Sequence, residues 1–193
     1  VASILDATKS IFLSHGYAGT TVDEIARLAG VSRASFYTYF PSKRDVLLAL
    51  GADSAHAGVH MIEYANEIGR PCTIPGLTEF VRKCFAELDE QASFAFAWTD
   101  AARHDEEIRV AGMKRHLKMC SDLGRSLAAL RGRPYDDPAA AGLIVFSQLE
   151  RAWAYCQLYE DPSLTESVVS QIATDLCAGL QATPARRANR QVS

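Results

Sequence analysis

Apolar residues recur three and four positions apart along the whole chain, and no stretch keeps the two-residue alternation of a half-buried strand. The pattern predicts an all-α protein. Ile4, Leu5, Thr8, Ile11, Phe12 and His15 mark one face of a first helix, with Gly16 after it as a left-handed stop. Thr21 with Glu24 three residues later forms a capping box, the hydroxyl accepting from the third helical amide while the carboxylate reaches back. It opens a short second helix that turns Ile25, Leu28 and Ala29 inward and ends at Gly30. Ser32 caps a third helix reaching Phe40, Pro41 closes it, and Ser42 caps a long fourth helix from Lys43 to about Ile68.

Past the break at Gly69-Arg70-Pro71, the positions Leu77, Phe80, Val81, Cys84, Phe85 and Leu88 hold helical spacing without a miss. A short aromatic segment (Phe94, Phe96, Trp98) leads into a long helix through Ile108, Met113, Leu117, Cys120, Leu127 and Leu130. Asp137 with Pro138 at the first helical position begins the eighth helix, and Ser163 with Glu166 begins the ninth. The expectation is about nine helices: a head over 1–50, a larger core over 51–185 and a flexible tail over 186–193, where Arg186, Arg187 and Arg190 stand among few apolar residues.

Composition narrows the classes. With 193 residues, 48% hydrophobic and 22% charged, the chain has room for a sizeable core and has no apolar run of the roughly 18 residues that a membrane span needs. No basic-then-apolar leader is seen, which predicts a cytoplasmic protein without a membrane partner. Five widely spaced cysteines without a C-x-x-C pair read as reduced, mostly buried thiols. The net charge of −3 argues against a protein coated in basic surface, so any nucleic-acid binding must come from local placement.

Local placement is informative between Thr21 and Phe40, where two short helices flank a Gly-containing turn of the dimensions of a DNA-binding helix-turn-helix. Arg33 falls in the first turn of the third helix, and Lys43 and Arg44 in the first turn of the fourth. Cations there oppose the helix dipole by about 0.3–1 kcal/mol each, and an anion would reverse the sign. Two such breaches beside Tyr37 and Tyr39 point to two helix ends aimed at the phosphates of one duplex.

The string Gly19-Thr20-Thr21-Val22-Asp23-Glu24-Ile25-Ala26, followed by Ala29-Gly30-Val31-Ser32-Arg33-Ala34-Ser35-Phe36-Tyr37-Thr38-Tyr39-Phe40-Pro41-Ser42-Lys43, closely resembles the TetR (tetracycline-repressor-like) regulators. The resemblance covers roughly residues 2–50; beyond them only helix number and lengths agree. It implies a dimeric repressor on a palindromic operator, with the third helix in the major groove. Carried over position by position, it implies base-edge or near-base roles for Arg33, Ala34, Ser35 and Thr38, and phosphate roles for Thr21, Tyr37, Tyr39 and Lys43. Arginine can contact guanine bidentately, worth about 1–3 kcal/mol of discrimination, whereas Tyr and Lys on phosphates set register without reading sequence. Arg33 is the main specificity candidate. Surface solvation of Arg33 and Lys43, and simple packing of Tyr37 and Tyr39, are the plain alternatives.

In the core, the eighth helix is apolar on most sides through Leu143, Ile144, Phe146, Leu149, Trp153 and Tyr155, and the ninth carries a stripe of Leu164, Val168, Ile172, Leu176 and Leu180. The resemblance implies that these two helices form a four-helix dimer interface with their symmetry mates. It also favours an apolar effector pocket over ordinary core packing for Tyr64, Phe85, Phe94, Trp98, Met113, Phe146 and Trp153. His56 and His60 lie four apart on the fourth helix but lack a third ligand, so no metal is assigned, and no cofactor motif occurs. Nor is there a G-x-S-x-G elbow, a Walker loop or an H-E-x-x-H, which argues against an enzyme. The remaining rival is a helical ligand-carrier or protein-interaction module without DNA binding.

Overall fold

The computed structural model describes residues 1–182, apart from the side chains of 53–57, 92, 93, 95 and 96. The expected tail over 186–193 and the side chains of His56 and Phe96 therefore lie outside the described residues. The architecture is all-α, a small helical head joined to a larger helical core, as the periodicity predicts. Among the described residues there are eight α-helices: α1 (Ala2–His15), α2 (Val22–Leu28), α3 (Arg33–Tyr39), α4 (Lys43–Glu67), α5 (Ile74–Ala101), α6 (Glu106–Arg131), α7 (Pro138–Tyr159) and α8 (Pro162–Gln181).

Three details differ from the sequence reading, the first being Leu28 of α2, expected to face inward and 52% exposed. The aromatic segment is not a separate element: no Gly or Pro interrupts the chain after Gly76, so α5 continues through Phe94 and Trp98 to Ala101. The expected eighth and ninth helices are accordingly α7 and α8. The last helix also starts earlier than the Ser163–Glu166 box predicted, because Asp161 is the cap, accepting from the amides of Ser163 (2.9 Å) and Leu164 (3.2 Å), with Pro162 at the first helical position. Glu166 instead pairs with Arg82 of α5 (2.7 Å).

The other helix starts follow their local signals. Both halves of the Thr21–Glu24 box are formed, Ser32 accepts from the Ser35 amide (3.0 Å), and Asp137 accepts from the Ala140 amide (3.0 Å). Gly30 sits at φ 67°, a left-handed value that non-glycine residues resist, and this allows α2 to turn into α3 within four residues.

Ile4, Ile11, Ile25, Phe36, Phe40 and Val46 form the head's own core. A larger cluster, including Leu77, Phe80, Leu123, Leu149, Trp153 and Ile172, holds α4 to α8 together. α6 and α7 approach until backbones touch, since a Cβ at Gly124 would overlap the carbonyl of Pro138 and one at Gly142 that of Cys120. All five cysteines are free and buried. Between head and core lies a third cluster, in which Phe12 of α1 and Leu47 and Leu50 of α4 pack on Ala97, Ala101 and Ile108. The Ala18 amide donates to Asp100 Oδ2 (2.9 Å), and Arg44 pairs with Glu107 and, at 3.8 Å, with Asp105. α4 itself runs unbroken past residue 50, so head and core share one helix. No described helix is long and apolar enough to cross a membrane.

Candidate functional site

Phe36 anchors α3 by burying completely in the head core, which turns the opposite side of this seven-residue helix outward. Arg33, Ala34 and Thr38 are exposed on that side, Ser35 is half-buried, and Tyr37 and Tyr39 are 44% and 54% exposed. The two tyrosines thus stand clear of the core, against the packing alternative. Tyr37 meets the Phe36 ring edge-on (5.5 Å between centroids).

Thr21, Arg33, Tyr37 and Lys43 line one depression of about 340 Å³, together with Asp23 and Ser42. The tips of α2, α3 and α4 therefore meet at one surface. Ala34 and Thr38 lie one turn apart on α3, the Thr38 hydroxyl donating to the Ala34 carbonyl (3.2 Å). Ser35 Oγ lies 2.9 Å from Ser32 Oγ.

The helix-dipole argument from the sequence is only partly met, because the protein supplies acceptors of its own. Arg33 Nη1 donates to both oxygens of Asp23 (2.7 and 2.8 Å), and Nη2 donates to the Tyr37 hydroxyl (3.3 Å). Lys43 Nζ donates to the carbonyls of Tyr17 and Thr20 (2.7 Å each) and sits 4.5 Å from the centre of the Tyr17 ring. Partial burial moves the Lys43 pKa down from its ordinary value. Hydrogen bonds from Thr21 hold the Glu24 carboxyl below the usual carboxylate range. Asp23 and Tyr17 were invisible as partners in the sequence, since the first is ten residues from Arg33 and the second offers a backbone oxygen.

A second site lies in the core. Helices α4, α5, α6 and α7 enclose a cavity of about 500 Å³, mostly apolar in lining. Of the seven expected pocket residues, Phe94, Trp98 and Phe146 reach it. The other four do not. Phe85 and Trp153 belong to the main core, where the Trp153 indole donates to Asp89 (2.6 Å). Tyr64 stands behind the wall, its hydroxyl donating to the wall residue Glu87 (2.8 Å), which pushes the phenol pKa up to about 12. Met113 is 42% exposed, because one residue past Gly112 the helix has turned by about 100° away from the cavity.

His116 joins the three aromatics, 6.1 Å from Trp98 and 5.1 Å from Phe146 between ring centroids, and burial lowers its pKa. The sequence did contain an unused signal for this space. Gly51, Gly58 and Gly112 interrupt helices at about 1 kcal/mol each relative to alanine. A Cβ at these positions would come within 3.0 Å of the Phe94 ring, within 2.9 Å of Met119 Cγ, and into the Trp98 indole, respectively. His60 meets Glu87 (2.9 Å), and among the described residues no three side chains converge as metal ligands.

Comparison with known proteins bears on the head first. Residues 4–50 match the family model "Bacterial regulatory proteins, tetR family". The curated relatives match over stretches of similar length. The transcriptional regulator SrpR of Pseudomonas putida is 42% identical over 53 residues, 28% of this chain and 25% of that protein. EthR of Mycolicibacterium smegmatis is 45% identical over 49 residues, 25% of this chain and 23% of that one. The chain thus matches about a quarter of the length of these relatives.

The tetR-like fold extends further than the sequence match. The TetR family regulator PfmR of Thermus thermophilus superposes with a TM-score of 0.68 at 23% identity, covering 93% of this chain and 99% of that one. FadR of Bacillus subtilis, solved in complex with stearoyl-CoA, gives 0.69 at 19% identity, covering 92% and 98%. The architecture of the core is therefore similar to that of these solved regulators.

Proposed function

We propose that this protein is a transcriptional repressor of tetR type that binds a palindromic DNA operator as a homodimer and is released by a small, largely apolar molecule in the core cavity. The observation that carries the reading is the meeting of three helix tips at one exposed surface with Thr21, Arg33, Tyr37 and Lys43, inside the segment that matches the family. In this assignment residues 1–50 are the DNA-binding domain and 51–185 the sensing and dimerising domain. Arg33, Ala34, Ser35 and Thr38 face the bases; Thr21, Tyr37, Tyr39 and Lys43 face phosphates. Lys43 and Arg33 exchange their internal acceptors for those of the duplex on binding. The Asp23–Arg33 pair is exposed and screened by water, so it yields to a bidentate contact in the groove.

Dimerisation is assigned to α7 and α8. Ile144 and Leu158 of α7 are 69% and 70% exposed, the Tyr155 and Tyr159 rings stack at 5.7 Å, and Leu164 of α8 adds to an apolar face that a second copy would cover. A two-fold axis there calls for recognition helices about 34–36 Å apart. Phe94 and Trp98 belong both to the cavity wall and to the cluster on which Phe12 of α1 packs, so an occupant that displaces them shifts the head's seat. Its leverage is its differential affinity for the two dimer shapes. Like the relatives named as regulators, the protein is assigned no catalytic role, and it acts where the DNA is, in the cytoplasm.

The test is selection of duplexes from a random pool by the purified protein, followed by salt titration of the winner. Lys43→Ala should weaken binding to all sequences and reduce the log–log salt slope by about one unit. Arg33→Ala should relax preference at one base position in each half-site. Wild-type affinity and selectivity in both variants would refute the placement of the recognition surface.

A further inference from the structure

Six titratable side chains reach the wall of the core cavity: Glu87, Arg115, His116, Lys118, Asp122 and Glu150. Five of them are engaged with the protein. Glu87 accepts from the Tyr64 hydroxyl (2.8 Å) and meets His60 Nδ1 (2.9 Å). Arg115 Nη1 donates to the Gly51 carbonyl of α4 (3.1 Å), which holds its guanidinium against that helix. Lys118 and Asp122 pair at 2.6 Å, and Asp122 also takes Arg125 at 2.7 Å. His116 Nε2 lies 3.6 Å from Cys120 Sγ, and burial favours its neutral form.

Glu150 is the exception. It stands on α7 one turn beyond Phe146, half-buried, and among the described residues no hydrogen-bond or ion-pair partner reaches its carboxylate. Burial raises its pKa, with only a weaker opposing pull from neighbouring Arg151. A carboxylate withdrawn from water without a counter-charge is unfavourable, and an incoming cation removes that penalty. The adjoining walls are aromatic, and ring faces attract cations while receiving apolar groups. Asp122 is met by Lys118 and Arg125 and Glu87 by Tyr64 and His60, so among the described lining residues Glu150 is the carboxylate left for a ligand. An acid placed beside Glu150 would add like-charge repulsion in a poorly solvated space.

We infer that the cavity takes a hydrophobic cation, an amine whose apolar body lies against Phe94, Trp98 and Phe146 and whose ammonium group meets the Glu150 carboxylate. The inference rests on the effector reading of the cavity and specifies its ligand class. It separates this chain from the FadR neighbour, whose stearoyl-CoA ligand is anionic. The indole N–H of Trp98 is buried without an acceptor and packs against Gly112 of α6.

Decylamine, decanol and decanoate share one tail and differ only in the head group, so their dissociation constants isolate the charge preference. They would be measured by calorimetry on the full chain at pH 7, below micelle-forming concentrations, with wild type and Glu150→Gln. Decylamine should bind at least tenfold more tightly than decanol, decanoate more weakly than decanol, and Glu150→Gln should erase the advantage of the amine. Tightest binding of decanoate, or an amine advantage that survives in Glu150→Gln, would overturn the inference. Binding of decanol with no amine advantage in wild type would sink the cation alone and leave the effector site standing; no binding of any of the three would sink both.

Discussion

In the head, α2 and α3 are seven residues each and the groups assigned to DNA stand on α3, at the cap of α2 and at the start of α4; around the cavity, helices of 22 to 28 residues bring side chains together from four separate elements. A residue on a short capped helix has its direction set by the cap and the one large side chain that anchors the helix, here Phe36. A residue on a long helix points where the rotation accumulated over several turns and the packing of its neighbours send it. The head is consequently tolerant of surface change and dependent on its anchor. The cavity is sensitive to a single methyl group at the right glycine.

Three substitutions sharpen that contrast. Phe36→Ala removes the fully buried anchor of α3 and should destabilise the head by about 3–5 kcal/mol. Hydrogen exchange should show α1 to α3 opening while α5 to α8 remain protected, and operator binding should be lost. If the core melts together with the head, the two regions are one cooperative unit and the comparison fails. Gly112→Ala gains about 1 kcal/mol of helix propensity but drives a Cβ into the Trp98 indole, an overpacking that costs about 1–3 kcal/mol. The net expectation is a loss of up to about 2 kcal/mol in thermal unfolding, with cavity ligands bound more weakly and DNA affinity kept. Arg44→Ala removes a surface link from α4 to Glu107 and Asp105, and should change stability by only about 0.2–1 kcal/mol. Its informative readout is the factor by which a cavity ligand weakens operator binding, which should fall if this link carries part of the coupling.

Much of the head was readable because its signals are short. The Thr21–Glu24 box, the Ser32 cap and the Gly30 turn each involve residues three or fewer positions apart, so spacing suffices to find them. The same reasoning misplaced the start of α8, where Asp161 followed by Pro162 outcompetes the Ser163–Glu166 pattern and Glu166 is drawn to Arg82 instead. In the core, aromatic and methionine content together with the resemblance found Phe94, Trp98 and Phe146 but also picked Phe85 and Trp153, which face the main core, Tyr64, which stands behind the wall, and Met113, which faces water. Composition names apolar residues without giving the phase of the helix that carries them. Gly51, Gly58 and Gly112 stand on the cavity wall as well, but Gly124 and Gly142 serve the close approach of α6 and α7, so a helix glycine does not name the cavity either.

The all-α class, the caps of α2 and α3 and the exposed tips of α2 to α4 follow from the chain alone, because caps, turns and amphipathic spacing act over a few residues. The internal partners of Arg33 and Lys43, the four-helix cavity and the unpaired carboxylate of Glu150 come only with the tertiary structure. Those features depend on groups ten to a hundred residues apart, and only the packing of whole helices sets the distance between them.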